Sequence, residues 1–492
     1  MENEQPRPGT SLVTAVPRRR GRALRRALVA LLTSGVAGAG GYVGALMLLP
    51  PPDRPPDQPP VPTPAPAPGP PALTSVTAGV PAALPGLTAL IGDREQYLRT
   101  HPRDARAWAT LGTAYVERGR RTADAVNFPK AESALQASLR EQPTANAEAL
   151  DGLTALANAR RDFGEAKRQG EQALELAPKR WTTYALLIDA YTGLGDYEAA
   201  RGTLDKLMQL RTSPADRPAV MARASAVYRD RGWREDAAAQ LADAAAAAGS
   251  PAEQAAYLER AGQLAWERGD REDALRHFEA AVRLDPDQRA ALAGQGRVLA
   301  ALGRAEEGVN AYVLAVAGQP SPQYALELGE LYESLGRTQE ARSQFDLLRQ
   351  RAAQNAAGGV DDALVVGRYE ADHGDPQEAV RRLRDEWQRQ PGIEVADALG
   401  WALYRSGDPQ EGLEYAAKAT DKEKGGGVRS SLYLFHLGMI ERALGDNSPA
   451  RRHLAEALQI NPHFSPTRAA EARTALQSLG TPPNEPAPTP TW

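Results

Sequence analysis

Residues 255–288 read AAYLERAGQLAWERGDREDALRHFEAAVRLDPDQ, and residues 289–322 read RAALAGQGRVLAALGRAEEGVNAYVLAVAGQPSP. Laid one under the other, Gly262 falls on Gly296, Gly269 on Gly303, Phe278 on Tyr312, Ala281 on Ala315 and Pro286 on Pro320. Every shift is 34 residues. A fixed period of that length marks a chain of stacked supersecondary units, none able to bury its apolar face alone.

Working outward, the same unit recurs on both sides. A first helix carries a small residue at its eighth position, such as Gly112, Gly262, Gly296, Gly329, Gly367, Gly400 or Gly438. A glycine there lets a second helix approach closely. A turn glycine follows at the fifteenth position: Gly119, Gly195, Gly232, Gly269, Gly303, Gly336, Gly374, Gly407 and Gly445, where a helix end needs a left-handed residue. The second helix has an alanine near its start (Ala200, Ala237, Ala274, Ala341, Ala379, Ala450), and proline often closes the unit.

This arrangement resembles the tetratricopeptide repeat, whose signature is W-x2-L-G-x2-Y, then A-x3-F, then P. It stands here as Trp108, Leu111, Gly112 and Tyr115, followed after an insertion by Ala131, Leu135 and Pro143. The spacing places ten repeats, beginning near residues 105, 147, 181, 218, 255, 289, 322, 360, 393 and 431. Repeat two is the weakest match, with Arg161 at the turn. The fold class expected is all-α: a solenoid of about ten helix-turn-helix repeats over 86–480, with capping helices at 86–100 and 465–479. The KEKGGGVRS stretch ending at Ser430 reads as a flexible loop between repeats.

The resemblance implies a concave groove lined by the second, fifth, ninth and twelfth positions of each first helix. Transferred residue by residue, those positions are charged in the early and middle repeats: Asp151, Asp189, Arg229, Glu259, Arg297, Glu330, Glu333 and Arg368. The last two repeats present Trp401, Tyr404, Leu432, Phe435 and Met439, the candidate partner-binding cluster. Such aromatics anchor a peptide or helix if exposed, and are core if the closing helix covers them. Asn158 is the only mapped asparagine and no mapped position holds lysine, so the peptide-carboxylate clamp of some family members is not expected.

The N-terminal region carries a different signal. RRRGRALRR at 18–26 precedes an uncharged run, Ala27–Leu49, whose 23 residues would span roughly 34 Å as a helix. The expectation is a basic cytoplasmic tail (1–26) and a transmembrane signal-anchor (27–49), with the array outside the cell. Cleavage after a signal peptide at Ala37-Gly38-Ala39, giving a secreted chain, is the alternative. Residues 50–85 read as a Pro-rich extended linker, since thirteen of the residues in 50–71 are proline, which removes amide donors and fixes φ. The tail 481–492 is unstructured by composition.

Composition excludes several chemistries. The chain has no cysteine, hence no disulfide, thiol nucleophile or Cys-ligated zinc. A net charge of −4 over 492 residues gives no electrostatic footprint for nucleic acid. Its arginine, alanine, glycine and proline bias is that of a GC-rich bacterial genome. The six histidines share no HExxH spacing, Gly425-Gly426-Gly427 has no Lys-Ser/Thr continuation, and Gly294-Gln295-Gly296 follows no strand. No cofactor and no metal are expected. The function expected is a membrane-tethered, non-catalytic scaffold that binds protein or peptide partners in its groove. The alternative is a solenoid that senses a small molecule or glycan.

Overall fold

A β-carbon on Gly262 would lie 2.7 Å from the ring of Phe278, and one on Gly112 would lie 2.5 Å from Leu135. These contacts explain the eighth-position glycines: the two helices of a repeat touch there through a large side chain seated on bare backbone. The alanines expected near the start of each second helix are the complementary surface. Ala237, Ala274, Ala379 and Ala450 are fully buried, because a larger side chain would force the helices apart.

The structure is a computed structural model that describes residues 70–422 and 426–480. All of them belong to one compact unit, Ala65–Trp492. Two leading helices, α1 (Pro70–Ala78) and α2 (Leu84–Thr100), precede ten antiparallel pairs. The first pairs are α3 (Ala105–Thr122) with α4 (Asn127–Glu141), α5 (Ala147–Arg160) with α6 (Phe163–Leu176), and α7 (Trp181–Gly193) with α8 (Tyr197–Gln209). Next come α9 (Arg217–Asp230) with α10 (Arg234–Ala247), α11 (Pro251–Arg268) with α12 (Arg271–Leu284), and α13 (Arg289–Ala301) with α14 (Ala305–Gly318). Then follow α15 (Pro322–Ser334) with α16 (Thr338–Ala357), and α17 (Ala363–His373) with α18 (Pro376–Arg389). The last are α19 (Ile393–Arg405) with α20 (Pro409–Thr420), and α21 (Ser431–Leu444) with α22 (Asn447–Ile460). A closing helix, α23 (Arg468–Ser478), ends the described chain.

Most turns obey the expected chemistry, with two corrections: α3 runs on through Gly119 and Ala123 takes the left-handed place (φ 49°), and Gly374 ends α17 at φ −128°. Gly269 ends α11 at φ +85°, and Asp196 and Asp408 cap α8 and α20 by accepting from Ala199 and Glu411 amides at 3.0 Å. Arg161, at the turn of the weakest repeat, takes the left-handed conformation without being glycine (φ 62°).

The array is an all-α, tetratricopeptide-like solenoid of paired helices, and its winding is tight. The Ile393 amide donates to Tyr197 Oη (3.2 Å), Arg160 Nε to the Gly358 carbonyl (2.9 Å), and Asn461 Nδ2 to the Trp266 carbonyl (2.8 Å). Arg234 Nη2 donates to the Arg429 carbonyl (2.9 Å). These partners are 196, 198, 195 and 195 residues apart, about six repeats in every case. A constant separation means that the second superhelical turn rests on the first along a continuous seam. A further contact between the turns, at a separation of 164 residues, is buried: Arg121 Nη2 meets Asp285 at 2.6 Å, both side chains 7% exposed.

Three expectations need correction. The linker was drawn to residue 85, but residues 70–78 form α1 and α2 begins at Leu84. Proline is tolerated in a first helical turn, and Ala72, Val76 and Ala82 then bury themselves against the front of the array. The rest of the expected linker, the basic tail 1–26, the anchor 27–49 and the tail 481–492 lie outside the described residues. Among the described residues, no helix is long and apolar enough to cross a membrane. Membrane tethering, and the localisation built on it, therefore form no part of the functional reading below. Finally, the segment read as a flexible loop is part of the seam: Gly426–Val428 form a 3-10 turn, and a β-carbon on Gly427 would strike the backbone of Asp230 and Arg231.

Candidate functional site

The concave face of the winding is a lumen rather than an open trough, because the seam brings late repeats over early ones. One open section of it is a cavity of about 530 Å³. One wall is built by α9, α11, α13 and α15, the other by α17, α19, α21 and the segment leading into α23. Four charged residues mapped to the groove from the sequence line it: Arg229, Arg297, Glu330 and Arg368. Glu259 lines a second section of about 400 Å³ toward the N-terminal end.

Most of these charges are paired. Arg229 grips Glu267 through two nitrogens at 2.8 Å, and Arg297 donates from Nη2 alone to both Glu327 carboxylate oxygens, at 2.9 and 2.8 Å. Tyr312 Oη adds a 2.7 Å bond to Glu327. Burial raises Glu267 and Glu327, but the arginines opposite outweigh it and hold both carboxyls below their ordinary value. Glu330 has only His373 beside it, and burial leaves its carboxyl raised. Arg468 meets Asp372 at 2.6 Å.

Two lumen charges stand apart. Arg368 and Glu394 have no ion pair or hydrogen bond among the described residues, yet each is the strongest charge acting on the other. Glu394 is exposed to lumen water, but protein surrounds that water. Burial therefore works to raise its carboxyl until Arg368, Arg161 and Arg229 bring it below the ordinary value. Arg368 Nε, Asp397 Oδ2 and Ser431 Oγ, all on residues at the cavity wall, have no hydrogen-bond partner.

The aromatic candidates are brought together, and the closing helix covers them. Trp401, Phe435 and Met439 are 3%, 0% and 4% exposed, in one cluster with Phe464, Leu476 and Leu479, against which Tyr404 and Leu432 pack. The Trp401 ring stacks on His436 at 4.2 Å and its Nε1 donates to Asp372 at 2.9 Å. Trp401 and Leu432 border the lumen cavity, while Tyr404 and Met439 border a separate depression beside Leu479.

One occupant of the groove was not legible in the sequence. Gly79, Val80 and Pro81, in the connection between α1 and α2, share a small pocket with Trp181, Ala185, Ala222, Tyr257 and Arg260. These residues lie on α7, α9 and α11, on or beside mapped groove positions. Arg121 Nη1 donates to the Ala82 carbonyl at 3.0 Å. The chain thus lays its own non-helical connection into the N-terminal end of its lumen.

A tetratricopeptide-repeat family model matches residues 259–324 and 398–463, about a quarter of the chain. No curated protein matches it. Among solved structures it is similar to the Cut9–Hcn1 hetero-tetramer of the APC/C, at 14% identity over 81% of this chain and 83% of that one, TM-score 0.37. It is also similar to a human IFIT1 dimer with PPP-AAAA (15%, 68% and 77%, TM-score 0.43) and to yeast Tom70 (12%, 80% and 96%, TM-score 0.33). At those scores the likenesses carry no argument about function. Among the described residues no group of three or more His, Asp or Glu is placed to hold a metal. The class so defined is a tetratricopeptide-like, all-α solenoid of paired helices.

Proposed function

We propose that the protein is an interaction module whose working surface is the lumen, and that it takes extended polypeptide segments of its partners there. The observation that carries this reading is the seat of the non-helical connection between α1 and α2: Gly79, Val80 and Pro81 lie against α7, α9 and α11, and a guanidinium donates to the carbonyl of Ala82 just beyond them. An α-helix, roughly 10–12 Å across with its side chains, suits a groove narrowed by a seam less well than an extended strand does. Of the five aromatic and apolar candidates, Trp401 and Leu432 border the cavity and are the anchoring end, while Tyr404, Phe435 and Met439 support them from the cluster behind.

The test is a photo-crosslinking amino acid at Leu432, beside the lumen, compared with one at Leu314, which is exposed on α14. Capture of the same partner from Leu432 and not from Leu314 supports lumen binding. Capture from Leu314 alone overturns it. A second reading, a solenoid that holds a small ligand, is favoured by the size of the open section, since about 530 Å³ falls within the range of small-molecule sites.

A further inference from the structure

Several lumen charges are paired, but Arg368 and Glu394 in the larger lumen section are not, and neither are Glu259 and Arg260 toward the N-terminal end. Arg229, Arg297 and Arg468 each hold a carboxylate within 3 Å. Arg368 on α17 and Glu394 in the first turn of α19 are opposite in sign and close enough to dominate each other's electrostatics. They are nevertheless held out of contact. Arg368 is half-buried and Glu394 is exposed to the lumen, so both charges are open to a ligand without an ion pair having to break first. Around the gap, Asp397 and Ser431, 1% and 5% exposed, each keep one oxygen without a hydrogen-bond partner.

The missing partner must satisfy both signs at once. A simple anion on Arg368 would face Glu394, and a simple cation on Glu394 would face Arg368. Trp401 offers no stacking platform for a sugar, because it is already covered by His436 and packed against Phe435 and Tyr404. We propose that the section between Arg368 and Glu394 binds a dipolar ligand of amino-acid or peptide chemistry. Its carboxylate or carbonyl end accepts from Arg368, and its ammonium or amide end donates to Glu394. Arg121 on the Ala82 carbonyl shows the same grip at the other end of the lumen.

The inference rests on the lumen being the working surface but requires no protein partner. Failure of the Leu432 crosslink therefore leaves it standing, and its own failure leaves the crosslink standing. The experiment is calorimetric titration of the full chain with alanine, dialanine and N-acetyl-trialanine amide. Sodium sulfate and tetramethylammonium chloride serve as single-sign controls. At least one dipolar probe is expected to bind and neither control to do so. Binding of free-ended probes alone identifies a small amino-acid ligand, and binding of the blocked peptide identifies a polypeptide backbone. Arg368→Gln and Glu394→Gln should each weaken binding ten-fold or more. The charge-swapped double variant, Arg368→Glu with Glu394→Arg, should recover part of the loss because a dipole can reverse. Absence of binding by all three probes to folded wild-type protein overturns the proposal. So does sulfate binding that Glu394→Gln leaves unchanged, and so does a folded swap variant that recovers nothing.

Discussion

The α-carbon of Gly195 lies against the carbonyl of Pro391, 196 residues further along the chain, so that a methyl group on Gly195 would overlap that oxygen. Gly195 is also in the left-handed region, at φ +71°. Gly303 has the same conformation, at φ +80°, with open space around it. The two positions separate a local requirement from a tertiary one.

Gly303→Ala should cost only the left-handed penalty, about 1–2 kcal/mol. Gly195→Ala adds a clash with backbone that cannot rotate away, so its loss should be clearly larger. Chemical denaturation of the two variants checks this, and small-angle scattering should show Gly195→Ala, not Gly303→Ala, lengthening as the turns part.

Arg121 is the strongest single tie of the seam. Its guanidinium holds Asp285 at 2.6 Å and the Ala82 carbonyl at 3.0 Å. Arg121→Ala leaves a carboxylate buried without its cation, which typically costs about 3–5 kcal/mol. The double variant Arg121→Met with Asp285→Asn should recover much of that loss. Thermal melting of the three proteins decides it.

Asp230 supplies a pH signature. Burial pushes its carboxyl up to about 6; the nearby Arg229 opposes this, and Glu394 and Glu267 reinforce it. The folded state therefore binds this proton more tightly than the unfolded chain, whose value is 3.8. The resulting stabilisation is fully present below 3.8 and is lost as pH rises through about 6. Asp230→Asn should be the more stable protein at pH 7, with the gap closing by up to about 3 kcal/mol toward pH 4. Denaturation midpoints of both proteins across that range measure it.

Phe435 has no exposed surface. Phe435→Ala should cost about 3–5 kcal/mol in stability through lost burial and the cavity left behind. Tyr404→Ala, at a partly buried position against the same cluster, should cost less. Scanning calorimetry compares them.

The ten helix pairs, the close-approach glycines and the cavity-lining positions of Arg229, Arg297, Glu330 and Arg368 were legible in the sequence, whereas some helix ends were not: α11 begins at Pro251 and α3 runs to Thr122. Each depends on contacts within one repeat or between neighbours, which a 34-residue period records directly. What only the tertiary structure decided is everything separated by a full superhelical turn. Gly195, Gly232 and Gly269 look no different in sequence from Gly303, Gly336 and Gly407, yet the first three press on later backbone and the others on nothing. The same holds for the helix at 70–78, hidden in a proline-rich stretch, and for the glycine loop that became seam. Repeat chemistry specifies how one unit sits on the next. Small rotations summed over about six units decide whether the turns meet, and no single residue encodes that sum.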